Sequence, residues 1–405
     1  MQRPLTGIRV LSLGQYMSAP YCTMLLADAG AEVIKVERPG TGDPRRIIAP
    51  FAEGEDGQRI GGGFLAYNRN KKSVALNLRA EQGRAIYKEL AKASDVVVEN
   101  MRPGVTTRLG VDYDVLKEIN PQLVYAAISG FGQLEGFKGP YTDWPAFDIV
   151  VEAMSGIMHL VGYEDRPPQW TIYGLADLYS GMVTAYSIML ALFMRERTGE
   201  GQLVDTAMYD SMLALNERMV MLYSLTGEMQ PRGRMLYQGP RAAFKARDGY
   251  LAVNIPNNLM WQRLCQAMGR EDLVEDPRTA DGPSRGDNAG LVRSVVEDWM
   301  ADKTREEARL LLSEHGVPSG PVHTAEDIFN CPQVEARQML VDIEDPEFGT
   351  YKFARSPMML SSSPEIEARR PPRLGEHTRP VLRELLGYGD TELEELEAAG
   401  IIEST

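Results

Sequence analysis

One aspartate is a candidate nucleophile because of the residues around it. Asp177 lies in the segment 173–181, YGLADLYSG, directly before an apolar stretch at 182–194 that is predicted to be helical. A carboxylate among small residues at a helix start can cap the helix by accepting bonds from free backbone N–H groups. It can also attack a substrate carbonyl, which small neighbours allow to approach. The position alone favours the cap, whereas the rest of the chain favours the nucleophile.

Basic residues are concentrated in the first 110 positions, close to the ends of predicted strands. Any one of them, taken singly, is typical of a solvated surface. As a group, in a chain of net charge −14, they predict a site for phosphates and carboxylates, since arginine offers forked donors to such anions. The residues are Lys35, Arg38, Arg45, Arg46, Arg69, Lys71, Lys72, Arg79, Arg102 and Arg108.

Histidine and nucleotide motifs give no competing site. No two of the four histidines have metal-ligand spacing, and none accompanies a G-x-S-x-G elbow, so each is more typical of a structural residue. The first strand-to-helix turn, 13–20, is not G-x-G-x-x-G, which gives little support to a nicotinamide or flavin site. The predicted chemistry is therefore that of a carboxylate. The four histidines are His159, His315, His323 and His377.

Length and composition restrict the possible classes. A chain of 405 residues with 43% hydrophobic and 25% charged residues predicts a soluble protein of two domains. The net charge of −14 argues against nucleic acid or an anionic membrane as the main partner. Cys22, Cys265 and Cys331 are too few and too widely spaced for a disulfide framework. The N-terminus has no signal-peptide pattern, and the stretch 182–194 is too short to span a bilayer, so it predicts a buried core helix in a cytoplasmic protein.

Short β-branched strands alternate with helices over the first 130 residues, which predicts a mostly parallel α/β sheet. The predicted strands end at Gly14, Arg38, Asn100 and Gly130. Ligands of such sheets bind beyond the carboxyl ends of the strands, so these loops are where a site is expected. The predicted strands are 8–13, 32–37, 73–77, 95–99 and 123–128, with helices at 19–29 and 80–92.

The character of the chain changes near residue 225, where Gly, Pro and Arg become frequent and helices follow one short strand. We interpret 225–325 as a smaller α+β domain with two linkers. The large domain would comprise 1–224, and 326–405 would return to it with two closing helices.

Several segments, in this order and spacing, resemble the class III CoA-transferase family (the CaiB/BaiF group). The likeness extends over nearly the whole chain, and the combination is specific although each segment alone is weak. The segments are 4–11, 30–37, 68–73, 98–104, 130–132, 145–148, 176–177 and 197–202.

The resemblance implies a Rossmann-like large domain built from both chain ends, a smaller inserted domain, and two chains interlocked as a dimer. The family nucleophile is an aspartate before a long helix, which matches Asp177. The resemblance also implies a set of contacts to coenzyme A, which is expected as a substrate and not as a tightly bound cofactor. Carried over by motif, these contacts are Tyr16, Arg38, Leu76, Asn100, Met101 and Arg108.

Two departures from relatives bear on the reaction. In the α-methylacyl-CoA racemases of this family a Gly-His-Asp segment supplies a histidine base, whereas this chain has Phe147 at that position, in Ala146-Phe147-Asp148. Phenylalanine cannot move a proton, so racemase chemistry is not expected. The glycine-rich run that covers the active site in formyl-CoA transferases is not evident, and the region 237–240 is expected to substitute for it.

The resulting expectation is a CoA-transferase that moves CoA from an acyl-CoA donor, succinyl-CoA, to a dicarboxylate acceptor such as malate. The Asp177 carboxylate would form a mixed anhydride and then a thioester, and N–H groups at the helix start would stabilise the oxyanions. A distal carboxylate of the substrate would be held by Arg45, Arg46 and Arg69. The protein would act as a homodimer or as a heteromer with a paralogous subunit. Two alternatives are a CoA-binding partner subunit and, less favoured, a 2-methylacyl-CoA racemase.

Overall fold

The computed structural model describes residues 3–233, 240–363 and 368–405, and these divide into two compact units. The first unit comprises Met1–His159, Gln169–Glu217 and Gln338–Thr405. The second comprises Leu160–Pro168 and Arg218–Arg337. The domain boundaries expected at 225 and 325 remain a prediction. Composition gave no indication that residues 160–168 belong to the second unit.

Up to residue 217 the chain alternates strands and helices. The strands are β1 (Arg9–Leu13), β2 (Glu32–Glu37), β3 (Phe51–Glu53), β4 (Arg59–Gly61), β5 (Lys71–Leu76), β6 (Val96–Glu99), β7 (Val124–Ser129) and β8 (Leu203–Ala207). The helices are α1 (Ser18–Asp28), α2 (Gly62–Tyr67), α3 (Glu81–Lys92), α4 (Val105–Leu109), α5 (Tyr113–Ile119), α6 (Asp148–Met154), α7 (Ile157–Leu160), α8 (Leu175–Thr198) and α9 (Met208–Leu215), with a 3-10 turn at Pro44–Ile47.

The second unit and the C-terminal segment contain the remaining elements. The second unit contains α10 (Glu217–Thr226), β9 (Arg241–Ala246), β10 (Gly249–Asn254), α11 (Asn258–Met268), α12 (Asp272–Glu275), α13 (Gly282–Asp287), α14 (Ala289–Met300), α15 (Arg305–Glu314), β11 (Ser319–Pro321), α16 (Ala325–Phe329) and α17 (Pro332–Ala336). The C-terminal segment contains β12 (Leu340–Asp345), β13 (Gly349–Ala354), α18 (Thr378–Leu386), α19 (Asp390–Ala398) and β14 (Ile402–Glu403).

The predicted mostly parallel sheet is confirmed. Seven strands lie in the order β14-β5-β2-β1-β6-β7-β8, and every neighbouring pair is parallel except β14 with β5. Successive residues of a strand point to opposite faces, so Val10 joins one hydrophobic core and Leu11 the other. Both faces are buried, which is why the strands are rich in apolar and β-branched residues.

The second unit has its own core. Its sheet has the antiparallel order β11-β10-β9, and the buried residues Phe244 and Leu251 of that sheet pack in one cluster with Trp261 of α11. The fully buried Trp261 donates its indole N–H to the Leu273 carbonyl at 3.2 Å.

Helix α8 differs from its prediction. It is longer than the expected stretch, and only one face is buried, including Ser180 and Ile188, where it lies against α1 and β7. The opposite face exposes Tyr186, Phe193 and other large apolar residues, so the prediction of a buried core helix holds for one face only. By length and composition α8 would suffice to cross a membrane, but 44% of its most apolar window is buried against the rest of the unit. An apolar composition alone does not reveal which face meets the core.

Candidate active site

Asp177 is the third residue of α8, and it does not cap that helix. The N-cap position is Gly174, which adopts the left-handed conformation with φ 93° and provides no side-chain cap. The cap comes from Asp148, at the start of α6. Its carboxylate accepts N–H bonds from Ala176 at 2.7 Å, and from Gly174 and Asp177 at 3.3 Å each. The Asp177 carboxylate is thus not needed for capping, which removes the plainer of the two interpretations of this residue.

The same contacts correct an expectation about the oxyanions. The N–H groups at the start of α8 were expected to stabilise negative charge on reaction intermediates, but those of Gly174, Ala176 and Asp177 are already bonded to Asp148. Leu178 donates to the Gly174 carbonyl at 2.8 Å. Donors to a developing oxyanion must therefore come from elsewhere.

Burial raises the pKa of Asp177 from its ordinary value of 3.8 to about 6, and the negative charge of Asp148 adds to the rise. A hydrogen-bond interaction with the Ser18 hydroxyl and the positive charge of Arg45 act in the opposite direction on the pKa. At neutral pH the carboxylate is ionised but more basic than a solvated one. A less solvated and more basic carboxylate is a better nucleophile, so its environment suits covalent chemistry.

Asp177 lines a cavity of about 570 Å³ at the carboxyl ends of the central strands. Three of the residues expected to contact CoA, Tyr16, Asn100 and Met101, line the same cavity. Phe147 lines it too, is 58% exposed, and meets the Tyr16 ring edge-on at 6.2 Å between centroids. Tyr16 has φ 64°, a conformation that is costly for a residue other than glycine and that often marks functional turns.

A second cavity, of about 490 Å³, is lined by all three of the remaining expected CoA contacts. Arg38, Leu76 and Arg108 line it, together with Met101. Gln15 and Met101 line both cavities, so the two adjoin. Arg79 also lines the second cavity, although it was not among the expected CoA contacts. In the sequence, only its position just after a predicted strand indicated that it could lie near a ligand.

The three arginines expected to hold a substrate carboxylate have different environments. Arg46 forms two bonds to the buried Glu37 carboxylate, at 2.7 and 2.8 Å, and Arg69 pairs through two nitrogens with the buried Asp28. Both guanidinium groups are therefore occupied, which argues against their assignment to substrate. The sequence could not reveal this, because the partners lie 9 and 41 residues away.

Arg45, unlike Arg46 and Arg69, is not paired with a carboxylate of the described residues. It is only 6% exposed and has no ion pair within the described residues. Its Nη1 donates to the Tyr173 hydroxyl at 2.9 Å, and its Nε has no partner. A Cβ on Gly63 would lie 2.3 Å from Nη2 of Arg45, and one on Gly61 would lie 2.1 Å from its carbonyl oxygen. The glycine run 61–63 thus allows the Arg45 segment to pack against α2.

Comparison with known proteins shows which family the chain belongs to. The sequence model of "CoA-transferase family III" matches residues 5–378. The chain belongs to CoA-transferase family III. A crystal structure of a CAIB/BAIF family protein from Brucella suis superimposes with a TM-score of 0.85 at 33% identity, covering 95% of this chain and 100% of the other.

Three relatives of this CoA-transferase are similar over almost their whole length. Succinyl-CoA--D-citramalate CoA-transferase of Chloroflexus aurantiacus is 36% identical over 99% of this chain and 98% of its own. Succinyl-CoA:mesaconate CoA-transferase of Haloarcula hispanica is 39% identical over 96% of this chain and 98% of its own. The beta subunit of succinyl-CoA--L-malate CoA-transferase of C. aurantiacus is 35% identical over 98% of this chain and 98% of its own.

Sequence reasoning missed three residues that line the same cavity as Asp177 in this CoA-transferase. Asp148 belongs to the segment that carries the family resemblance but received no role, and Ser18 and Tyr173 carried no motif. Only the fold brings Ser18 and Asp148 to Asp177, whereas Tyr173 precedes it by four residues in the chain. The region 237–240, expected to cover the site, lies outside the described residues except for Pro240.

Proposed function

We propose that this CoA-transferase moves CoA from succinyl-CoA to a dicarboxylate such as malate, with Asp177 as the covalent nucleophile. The Asp177 carboxylate attacks the thioester carbonyl, the C–S bond breaks, and a mixed anhydride and CoA thiolate form. The thiolate attacks the aspartyl carbonyl and releases succinate, which leaves an aspartyl-CoA thioester. The acceptor carboxylate then displaces CoA, and the thiolate attacks the acceptor carbonyl, so that Asp177 is regenerated. Each step exchanges one activated acyl bond for another, and no net hydrolysis is needed.

The observation that carries this proposal is the environment of the Asp177 carboxylate. It lines a cavity of about 570 Å³ with its pKa raised to about 6, while Asp148 caps the helix in its place. A carboxylate that served as a structural cap would instead accept the helix N–H bonds, which usually lower a pKa. The adjoining cavity, with Arg38, Arg79 and Arg108, suits the phosphates of CoA.

The dicarboxylate preference is supported by Arg45. Burying an arginine without a carboxylate partner is costly, and a substrate carboxylate would supply that partner. Arg45 donates to the hydroxyl of Tyr173, and Tyr173 itself lines the cavity of Asp177. We therefore assign the distal substrate carboxylate to Arg45 with Tyr173, in place of the earlier group of three arginines. The relatives named for succinyl-CoA with D-citramalate, mesaconate and L-malate are consistent with this class of acid.

Racemase chemistry is disfavoured by the residue at the histidine position. Phe147 lines the cavity of Asp177 and offers no group that transfers a proton. A racemase needs acid–base groups on opposite faces of the substrate carbon, and Asp177 alone serves only one face.

We further propose assembly with a second chain, either an interlocked copy of this one around the smaller inserted domain or a paralogous subunit. The outer face of α8 exposes Tyr186, Met189, Leu190, Phe193 and Met194, a continuous set of large apolar side chains typical of an interface. The beta subunit among the relatives makes the heteromer a specific alternative. Cys22 and Cys265 are buried and unpaired, which fits the reducing cytoplasm that we propose as the location.

The test of the catalytic proposal is trapping. Purified wild-type protein is incubated with succinyl-CoA and hydroxylamine, and its peptides are analysed by mass spectrometry. We expect inactivation with a hydroxamate at Asp177, and neither label nor turnover in Asp177→Asn. Activity of the chain purified alone separates an enzyme from a silent partner subunit, and the proposal fails if the active wild-type protein carries no label.

A further inference from the structure

The reaction requires a donor for the negative charge that forms on the Asp177 carbonyl oxygen when a thiolate or carboxylate attacks it. Because Asp148 occupies the N–H groups of Gly174, Ala176 and Asp177, the usual donors at a helix start are not available. Nη1 of Arg45 is bonded to the Tyr173 hydroxyl. Ser18 lines the same cavity as Asp177, and its hydroxyl acts to lower the pKa of that carboxyl.

Close packing of two helices brings Ser18 to this position. Ser18 is the first residue of α1, and α1 lies along α8. Gly181 follows Asp177 by four residues on the same face of α8. A Cβ on Gly181 would lie 2.6 Å from the Ser18 carbonyl oxygen and 3.4 Å from the Cys22 nitrogen, so only glycine allows this approach. The start of α1 is therefore fixed one helical turn from the nucleophile.

Asn100 orients the Ser18 hydroxyl. Its amide oxygen accepts the Gln15 N–H at 2.9 Å, and its Nδ2 donates to the Gln15 carbonyl at 2.8 Å and to Ser18 Oγ at 3.0 Å. These bonds to both backbone groups of Gln15 fix the direction of the amide. Since Oγ accepts from Asn100, its own hydrogen is left to donate, and the Asp177 carboxylate lines the same cavity.

We propose that Ser18 is a catalytic residue whose hydroxyl, oriented by Asn100, donates to the oxyanion formed on the Asp177 carbonyl; this inference rests on the covalent route proposed above. In the resting protein Ser18 and Asp177 line the same cavity. During attack on the aspartyl anhydride or thioester, the C=O double bond becomes a C–O⁻ single bond, and the Ser18 hydroxyl hydrogen bonds to the charged oxygen. No proton is transferred. Ser18 is 2% exposed, so the bond forms away from water, where it is worth most.

The inference also gives Asn100 a role beyond the expected contact with CoA. Its amide links the turn after β1 to the hydroxyl that faces the nucleophile, because Gln15 and Ser18 are both its partners. Asn100 is thus a positioning residue, which acts on Asp177 through Ser18.

The test compares Ser18→Ala and Ser18→Thr with Ser180→Ala as a matched control. Ser180 is a buried serine of the same helix as Asp177, and its hydroxyl donates to the backbone carbonyls of Ala176 and Asp177, not to the carboxylate. Loss of an oxyanion donor lowers kcat by about 100- to 1000-fold. We expect such a loss in kcat for Ser18→Ala with little change in KM, partial recovery in Ser18→Thr, and less than about threefold change in Ser180→Ala.

The pH profile provides a second readout, which a merely structural role would not move. The Ser18 interaction lowers the pKa of Asp177, so its removal should shift the acid limb of kcat/KM to higher pH, whereas Ser180→Ala should leave it unchanged. A Ser18→Ala enzyme with kcat within about threefold of wild type and the same acid limb overturns the inference. Hydroxylamine labelling separates the two proposals: a wild-type enzyme that labels at Asp177 leaves the covalent route standing even when Ser18→Ala is fully active.

Discussion

Replacing Asp177 with asparagine should remove activity and stabilise the fold at neutral pH. The pKa of Asp177 is about 6 in the folded protein and 3.8 ordinarily. Below pH 3.8 both states hold the proton, so the carboxyl costs nothing there. As the pH rises towards 6, the unfolded chain ionises first and gains stability relative to the folded one. The cost of burying the charge therefore grows between about pH 4 and pH 6 and is constant above that.

The size of this effect follows from the difference in pKa. Each unit of difference between the two states corresponds to about 1.4 kcal/mol, so a difference of about 2 gives about 3 kcal/mol as an upper bound. Asp177 is partly accessible, and solvent reduces the cost. We expect Asp177→Asn to gain about 1–3 kcal/mol at pH 7.5 and almost nothing at pH 3.5.

The assay is denaturant unfolding of wild type and Asp177→Asn at several pH values from 3.5 to 8. Asp143→Asn, at an exposed position of the first unit, controls for the loss of one negative charge. Its effect should be small at every pH. The reasoning is refuted if Asp177→Asn is no more stable than wild type at pH 7.5, or if its gain is the same at pH 3.5 and 7.5.

Four further outcomes are expected. Arg38→Ala and Arg108→Ala, which remove charged donors beside the second cavity, should each weaken CoA-ester binding by about 10- to 150-fold. Binding is measured by titration calorimetry, and an unchanged affinity in both variants would place the nucleotide elsewhere. Arg45→Gln should lower kcat/KM for malate by about the same factor but leave a monocarboxylate acceptor unaffected. Arg383→Gln, at an exposed position of α18, is the control and should change neither value, and equal losses for both acceptors in Arg45→Gln would contradict the assignment. Since Asp177 must be ionised to attack, kcat/KM should fall as the pH drops through about 6, and a profile flat down to pH 4.5 would argue against this nucleophile. In deuterated water, (S)-2-methylacyl-CoA should take up no deuterium on the turnover timescale, because Phe147 stands in place of a base; uptake at the rate of CoA transfer would favour a racemase.

The sequence predicted the sheet well, because its parallel strands are short, rich in β-branched residues and buried on both faces. The predicted strand 32–37 coincides with β2, and the strands ending at Arg38 and Asn100 do lead into the cavities. Local patterns could not resolve which charges are paired. Arg45 and Arg46 are neighbours, yet Arg46 pairs with Glu37 while Arg45 has no carboxylate partner among the described residues. The surroundings of Asp177 were equally hidden, since Ser18, Asn100 and Asp148 come from three distant parts of the chain.

The covalent role of Asp177 is tested most directly by following oxygen atoms. In the proposed route, the bridging oxygen of the first anhydride leaves with succinate, and an oxygen of the acceptor carboxylate remains on Asp177 after each turnover. The enzyme is incubated with succinyl-CoA and ¹⁸O-labelled malate in ordinary water, and the peptide containing Asp177 is analysed by tandem mass spectrometry. We predict ¹⁸O in the Asp177 carboxylate and in no other carboxylate of that peptide. Many turnovers without ¹⁸O at Asp177 would contradict the account.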